Sequence, residues 1–260
     1  MSWAIEERAG TLVVTMNSNP VNKQNAAFFA DLHACFDRLD REFEKRPIVL
    51  TGQGSAFSAG LDFGEVFEFL DKATVADASM WFGRYYQVIS RVLTAPRMVV
   101  GAINGHAYAG GAVLAMACDY RIGPTEGARA ALNEVPIGIP MPVPYVELAR
   151  ERLGYRHASE WILFGREYGP GDAHRAGFFH ELAPVERVVE RAIAVAGSLS
   201  PLAQDAYITS KRALLAPLLA QIDHLSPQIG PHTIEALLSD AGKKARAHAK
   251  AALAARRTVT

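Results

Sequence analysis

Three short stretches of the chain carry residue types that could do chemistry. Phe57-Ser58-Ala59-Gly60-Leu61-Asp62 and Asn104-Gly105-His106-Ala107-Tyr108-Ala109-Gly110-Gly111 are glycine-marked turns, each leaving an apolar strand and entering a helix. Turns of this kind leave backbone N–H groups without intrahelical partners. Two of them converging would offer a donor pair to an oxygen that gains charge during a reaction, with no catalytic side chain needed in either turn. The third stretch, Leu132-Asn133-Glu134-Val135-Pro136-Ile137-Gly138, sets a lone carboxylate among apolar neighbours. Desolvation raises the pKa of such a group and suits it to moving a proton near neutral pH. A structural role competes on equal terms: Glu134 could cap the turn from Ile137 to Pro144 or pair with Arg129.

Other chemistries lack their patterns. The eight histidines and two cysteines show no CxxC, HxxxH or HExxH spacing, so no metal site is predicted. No GxSxG elbow is present, and Ser58 reads as a loop serine. Gly52, Gly54 and Gly60 are not followed by the Lys-Ser or Lys-Thr pair of a phosphate loop, and no GxGxxG opens a helix. In the 260-residue chain 27 Lys+Arg balance 27 Asp+Glu, which removes the electrostatic basis for broad nucleic-acid or membrane affinity. Cys35 and Cys118 cannot build a disulfide framework, and Met1 to Gly10 has no secretory character, so a cytoplasmic protein with reduced thiols is expected. Met98 to Cys118 contains no Asp, Glu, Lys or Arg, yet its four glycines and the polar Asn104, His106 and Tyr108 make it a poor membrane span. It reads instead as a buried strand, a glycine-rich loop and a short buried helix.

The positioning elements alternate between strand and helix. Trp3 to Arg8 and Thr11 to Met16 are strand candidates around a Gly10 turn, followed by a helix from about Asn25 to Glu44. A strand is expected at Ile48 to Thr51, then a loop from Gly52 to Gly60, helices at Gly64 to Leu70 and Ala76 to Leu93, strands at Met98 to Ile103 and Tyr120 to Gly123, and another short strand near Ala130. After the Pro-rich elbow Pro136 to Pro144, helices are expected at Tyr145 to Leu153, His157 to Leu163, Pro170 to Ala176, Pro184 to Leu199, Pro201 to Leu219 and Thr233 to Ala255. This order predicts an α/β layer fold, with a core over 1–182 and a helical region over 183–260. The aromatic run Trp81, Phe82, Tyr85, Tyr86 reads as core packing on a helix that borders the site, and His106 as a loop hydrogen-bonder. Ala241 to Thr260 holds Lys243, Lys244, Arg246, Lys250, Arg256 and Arg257 with no acid, which reads as a solvated helix end, with ligand phosphates as the functional alternative.

At its three chemical stretches the sequence resembles the crotonase superfamily, the enoyl-CoA hydratases and isomerases, from about Trp3 to the helix before Leu199. Phe57 to Asp62 resembles the family's first oxyanion loop, Asn104 to Gly111 the second, Ala117-Cys118-Asp119-Tyr120-Arg121-Ile122 the strand that follows, and Gly165 to Gly177 a later helix-turn. The resemblance implies a ββα spiral core with a C-terminal helical trimerisation region. It implies that the N–H groups of Leu61 and Gly110 hold the thioester oxygen of an acyl-CoA, with Ala59, Gly60, Asp62, Tyr108 and Gly111 lining the substrate. The hydratases of the family use two glutamates; here the first position is Val113 and only Glu134 remains. A single base suits an allylic shift from 3-enoyl-CoA to 2-enoyl-CoA. Asn19-Pro20-Val21-Asn22, Ala109-Gly110-Gly111 and Leu132-Asn133-Glu134 are similar to the 3,2-enoyl-CoA isomerases. Hydration by Glu134 and a positioned water is the alternative within enzymes, and a non-catalytic acyl-CoA-binding trimer the alternative outside them. No metal and no redox cofactor are implied, CoA is the carrier of the substrate, and the assembly expected is a homotrimer or dimer of trimers. Pro140-Met141-Pro142-Val143-Pro144 departs from the Gly-Gly-Thr type turn of many members, and the C-terminal helix lacks their usual aromatic and Lys-Arg pattern.

Overall fold

The computed structural model describes residues 3–257, with side chains through residue 252. Thr11–Met16 (β2) and Ile48–Gly52 (β3) are buried almost residue by residue, as parallel strands covered on both faces must be. They are neighbouring interior strands of a six-stranded sheet of order β1-β2-β3-β5-β7-β9, completed by β1 (Ala4–Arg8), β5 (Val99–Ala102), β7 (Tyr120–Pro124) and β9 (Glu181–Ala183). Only β1, at the edge, runs antiparallel. Alternate side chains serve the two faces. Leu12, Val14 and Leu50 join the main core, while Val13, Val49 and Val100 pack under α7 (Val188–Gly197) through Val188, Ala192 and Ala196.

A second sheet, of order β4-β6-β8, is built from β4 (Ala56–Ser58), β6 (His106–Tyr108) and β8 (Ala130–Ala131), all parallel. It corrects the expectation of loops at Gly52 to Gly60 and Asn104 to Gly111. Strands of two or three residues carry no local periodic signal; they form because they pair with one another. Three times the chain passes from the large sheet to the small one: β3 to β4, β5 to β6, β7 to β8. Asn104 ties the first two crossings together, its Oδ1 accepting the Gly52 N–H (3.0 Å) and its Nδ2 donating to the Gly54 carbonyl (2.9 Å). Each small strand then delivers its chain to the same edge, where a helix or tight turn begins.

The helices are α1 (Ala26–Glu42), α2 (Phe63–Lys72), α3 (Val75–Leu93), α4 (Gly110–Ala117), α5 (Val143–Phe164), α6 (Pro170–Arg175), α7, α8 (Gln204–Leu238) and α9 (Asp240–Arg257). Every residue of α4 is buried, as an entirely apolar helix demands, and it packs against α3, α5 and β6. The break expected between Leu153 and His157 is a kink in α5 at Gly154, where φ is +69°. The break expected between Leu219 and Thr233 is absent. Helix α8 runs through Pro217, Pro227 and Pro231 and ends at Leu238. Each internal proline forfeits a backbone hydrogen bond, and the buried Leu215, Leu218, Ile222, Ile234 and Leu237 hold the helix on either side of them. Lys211 fastens α8 to the large sheet, its buried ammonium donating to Asp119 (2.9 Å) and to the Arg97 carbonyl (3.2 Å). Among the described residues no helix is long and apolar enough to cross a membrane.

Candidate active site

The three crossings place the three chemical stretches side by side. Leu61 follows β4, Gly110 follows β6 and Glu134 follows β8, each two or three residues beyond the end of its strand, and the strands are in parallel register. The first turn holds its shape through Ser58, whose hydroxyl donates to the Asn22 carbonyl (2.8 Å) and accepts the Gly60 N–H (3.2 Å). Ala59 donates its N–H to the Val21 carbonyl (2.9 Å). Asp62 is the N-cap of α2, accepting from Gly64 N–H (3.0 Å). Neither Leu61 N–H nor Gly110 N–H donates to a partner among the described residues. The Gly110 amide is one of the orphan donors of a helix start.

The turns meet at Gly60, where φ is +79° and the Tyr108 carbonyl and Gly110 amide crowd the place a side chain would occupy. Ala109 has φ 50° and ψ −123°, a conformation that L residues seldom adopt and that costs about 1–3 kcal/mol. The strain falls one residue before the free amide of Gly110. Gly111 packs against the Ser58 carbonyl. The Tyr108 hydroxyl is committed to Glu167 (3.1 Å), so this residue faces the first turn with its main chain. His106 accepts the Arg129 N–H (3.1 Å), as expected of a loop hydrogen-bonder.

Glu134 opens a single 3-10 turn, Val135–Ile137, closed by Gly138 at φ +78°. Its main-chain carbonyl accepts from Ile137 and Ile139, but its side chain caps nothing and Oε2 has no hydrogen-bond partner. The ion pair with Arg129 is not formed; Arg129 lies instead 3.8 Å from Glu167. Helix α9 covers the turn, with Ala245 against Gly138. Burial without a cation pushes the Glu134 carboxyl from the ordinary range up to about 7. Two buried phenols share its surroundings: Tyr85 and Tyr145, with rings 5.3 Å apart, are both held well above the usual tyrosine range, by burial first and also by the Glu134 charge. Beyond Tyr145, between α3 and α8, lies a cavity of about 460 Å³ walled by Phe82, Pro142, Pro144, Pro227 and Pro231.

Two neighbours of this site carried no periodic or motif signal in the sequence. Gln24, fully buried, donates from Nε2 to the Gly110 carbonyl (3.0 Å) and to Ser58 Oγ (3.3 Å), and accepts the Tyr85 hydroxyl on Oε1 (2.8 Å). Tyr145 is the first large residue of α5, placed by the proline-rich elbow. Among the described residues no group of three or more His, Cys, Asp or Glu could hold a metal. Of the basic C-terminal residues, Arg246 is buried and paired with Asp71 (2.9 Å); the side chains of Arg256 and Arg257 lie outside the described residues.

Comparison with known proteins decides the family. A model of the enoyl-CoA hydratase/isomerase family matches residues 6–227. The chain belongs to that family. It is 33% identical over 217 residues to a putative enoyl-CoA hydratase of Thermus thermophilus, covering 81% of this chain and 82% of that protein. It is 28% identical over 192 residues to the mitochondrial enoyl-CoA delta isomerase 1 of Mus musculus, covering 73% of this chain and 65% of the mouse protein. The crystal structure of human mitochondrial delta3-delta2-enoyl-CoA isomerase superposes with a TM-score of 0.85 over 98% of this chain and 99% of that one; at 23% identity this speaks for the fold. The enoyl-CoA hydratase/isomerase family makes this an enzyme of the lyase or isomerase kind, and the architecture is the crotonase fold with a C-terminal helical region.

Proposed function

We propose that this enzyme moves the double bond of a 3-enoyl-CoA to the 2-position, with Glu134 as the only acid–base group. What carries this reading is the lone carboxyl of Glu134, buried with no cation beside it and with no hydrogen-bond partner on Oε2, its pKa raised to about 7, at the edge where two free amides emerge, while the position that the family resemblance gives to the second hydratase carboxylate is the buried Val113. As carboxylate, Glu134 takes a proton from C2; the C2–H electron pair moves into the thioester and its oxygen becomes the oxyanion of a dienolate. The N–H groups of Leu61 and Gly110 bind that oxygen more strongly in the dienolate than in the ground state, which is where stabilisation accelerates reaction. Glu134, now a carboxylic acid, returns the proton to C4, and the double bond closes between C2 and C3.

The segments around Ala59, Gly60, Asp62, Tyr108 and Gly111 would line the thioester, and the proline-walled cavity beyond Tyr145 would take the acyl chain. No step needs a metal or a redox cofactor, and a homotrimer or dimer of trimers remains the assembly to test. The name of the Thermus relative favours a second reading, hydration of a 2-enoyl-CoA with Glu134 activating a water. Purified enzyme given a 3-enoyl-CoA and, separately, a 2-enoyl-CoA separates them. Formation of the conjugated thioester from the first without its loss from the second supports isomerisation; hydration of the second replaces it.

A further inference from the structure

Among the described residues outside the two turns that present the free amides, Gln24 is bonded to both. Its backbone lies beside Leu61 as a parallel bridge: Gln24 N–H donates to the Gly60 carbonyl (2.8 Å) and the Asp62 N–H donates to the Gln24 carbonyl (3.0 Å). In a parallel bridge the residue flanked by those two bonds turns its own N–H to the opposite side. The pairing with Gln24 therefore aims the Leu61 amide. The side chain of the same residue reaches the second turn, with Nε2 on the Gly110 carbonyl at 3.0 Å. Its other amide hydrogen is accounted for by Ser58 Oγ, which is bound to accept because its own proton goes to the Asn22 carbonyl. Tyr85 completes the set by donating to Gln24 Oε1, and a hydroxyl in that position admits only one orientation of the amide: flipped, it would set Oε1 against the Gly110 carbonyl. The Gln24 Oε1 and Tyr85 hydroxyl also fill the space beside Gly110 where a Cβ would stand.

We propose that Gln24, locked by Tyr85, is a positioning residue that sets the separation and direction of the two oxyanion donors. The inference rests on the oxyanion role given above to Leu61 and Gly110, and extends it to the part that joins them. A residue that merely filled space would affect stability alone. One that aims the donors must affect how strongly the thioester carbonyl is polarised, because a displacement of the order of 1 Å at a reacting centre can cost about 100-fold in rate.

The test uses 2,4-hexadienoyl-CoA, a conjugated thioester whose absorption moves to longer wavelength when donors pull on its carbonyl, together with turnover of a 3-enoyl-CoA. The expected result for Gln24→Met, which keeps the volume and removes the amide, is binding within about threefold of wild type with at most half of the absorption shift, and kcat lowered about 10- to 100-fold. Tyr85→Phe, smaller by one oxygen, should move both readouts the same way and carries the test if Gln24→Met does not fold. The double variant should be no worse than Gln24→Met, since Tyr85 acts through Gln24. A full absorption shift with near-normal kcat in Gln24→Met, or in Tyr85→Phe where only that variant folds, would overturn the proposal, as would additive losses in the double variant. Absence of any shift in the wild-type enzyme would instead remove the oxyanion assignment, and the Gln24 role with it.

Discussion

A Cβ added to Gly60 would stand 2.8 Å from the amide nitrogen of Gly110, so the two turns that carry the candidate oxyanion donors are in contact, with nothing between them. That contact, made by the parallel pairing of β4 with β6, fixes where the two N–H groups emerge.

Gly60→Ala should therefore act on the reaction centre. The alanine would need φ near +79° and would press on both the Gly110 amide and the Tyr108 carbonyl. Loss of one well-placed oxyanion donor costs about 100-fold or more in kcat, and that is the fall expected here, with a smaller change in KM. Steady-state kinetics beside a thermal melt check it; a folded Gly60→Ala enzyme with wild-type kcat would show that the two turns do not act together.

Proton abstraction by a carboxylate requires the ionised form. Since burial places the Glu134 carboxyl at about 7, kcat/KM for a 3-enoyl-CoA should rise with pH through that value and level off above it. The profile of a solvated glutamate would already be flat at pH 6. A profile level from pH 5 to 9 would be incompatible with the environment found for Glu134.

The same burial has a consequence for stability. Between pH 4.5 and about 7 the folded chain holds the Glu134 proton while the unfolded chain has lost it, so this group lowers stability as pH rises across that window. Glutamine does not titrate. Glu134→Gln should gain stability over wild type between pH 5 and 8, by an amount that grows with pH and reaches about 3 kcal/mol. Denaturant unfolding at the two pH values measures it, and an equal difference at both would contradict a buried, neutral carboxyl.

Much of this was legible in the residues. Thr11 to Met16 announces a strand through the apolar run Leu12-Val13-Val14 between β-branched threonines and through Met16, and Asn25 announces the start of α1, where its side chain caps Phe28 N–H (3.0 Å). The chemical stretches are legible through glycine, since Gly60 and Gly110 stand where a Cβ would collide. Of the small sheet only the strand near Ala130 is legible; Ala56–Ser58 and His106–Tyr108 are too short for a period and owe their conformation to partners far along the chain. The course of α8 beyond Leu219 defies local rules: Pro227 and Pro231 read as a break between two helices, and packing against the core overrides them. Gln24 lies outside any pattern, as its role depends on Gly110 and Tyr85, 86 and 61 residues away.

The most direct test of the account is turnover of a 3-enoyl-CoA by Glu134→Gln, with binding of the acyl-CoA measured on the same preparation. One carboxyl group performing both proton transfers predicts that the variant binds its ligand and loses turnover by about 1,000-fold or more, because no second group takes over the proton. Turnover within a few-fold of wild type would contradict the assignment of Glu134 as the acid–base group of this enzyme.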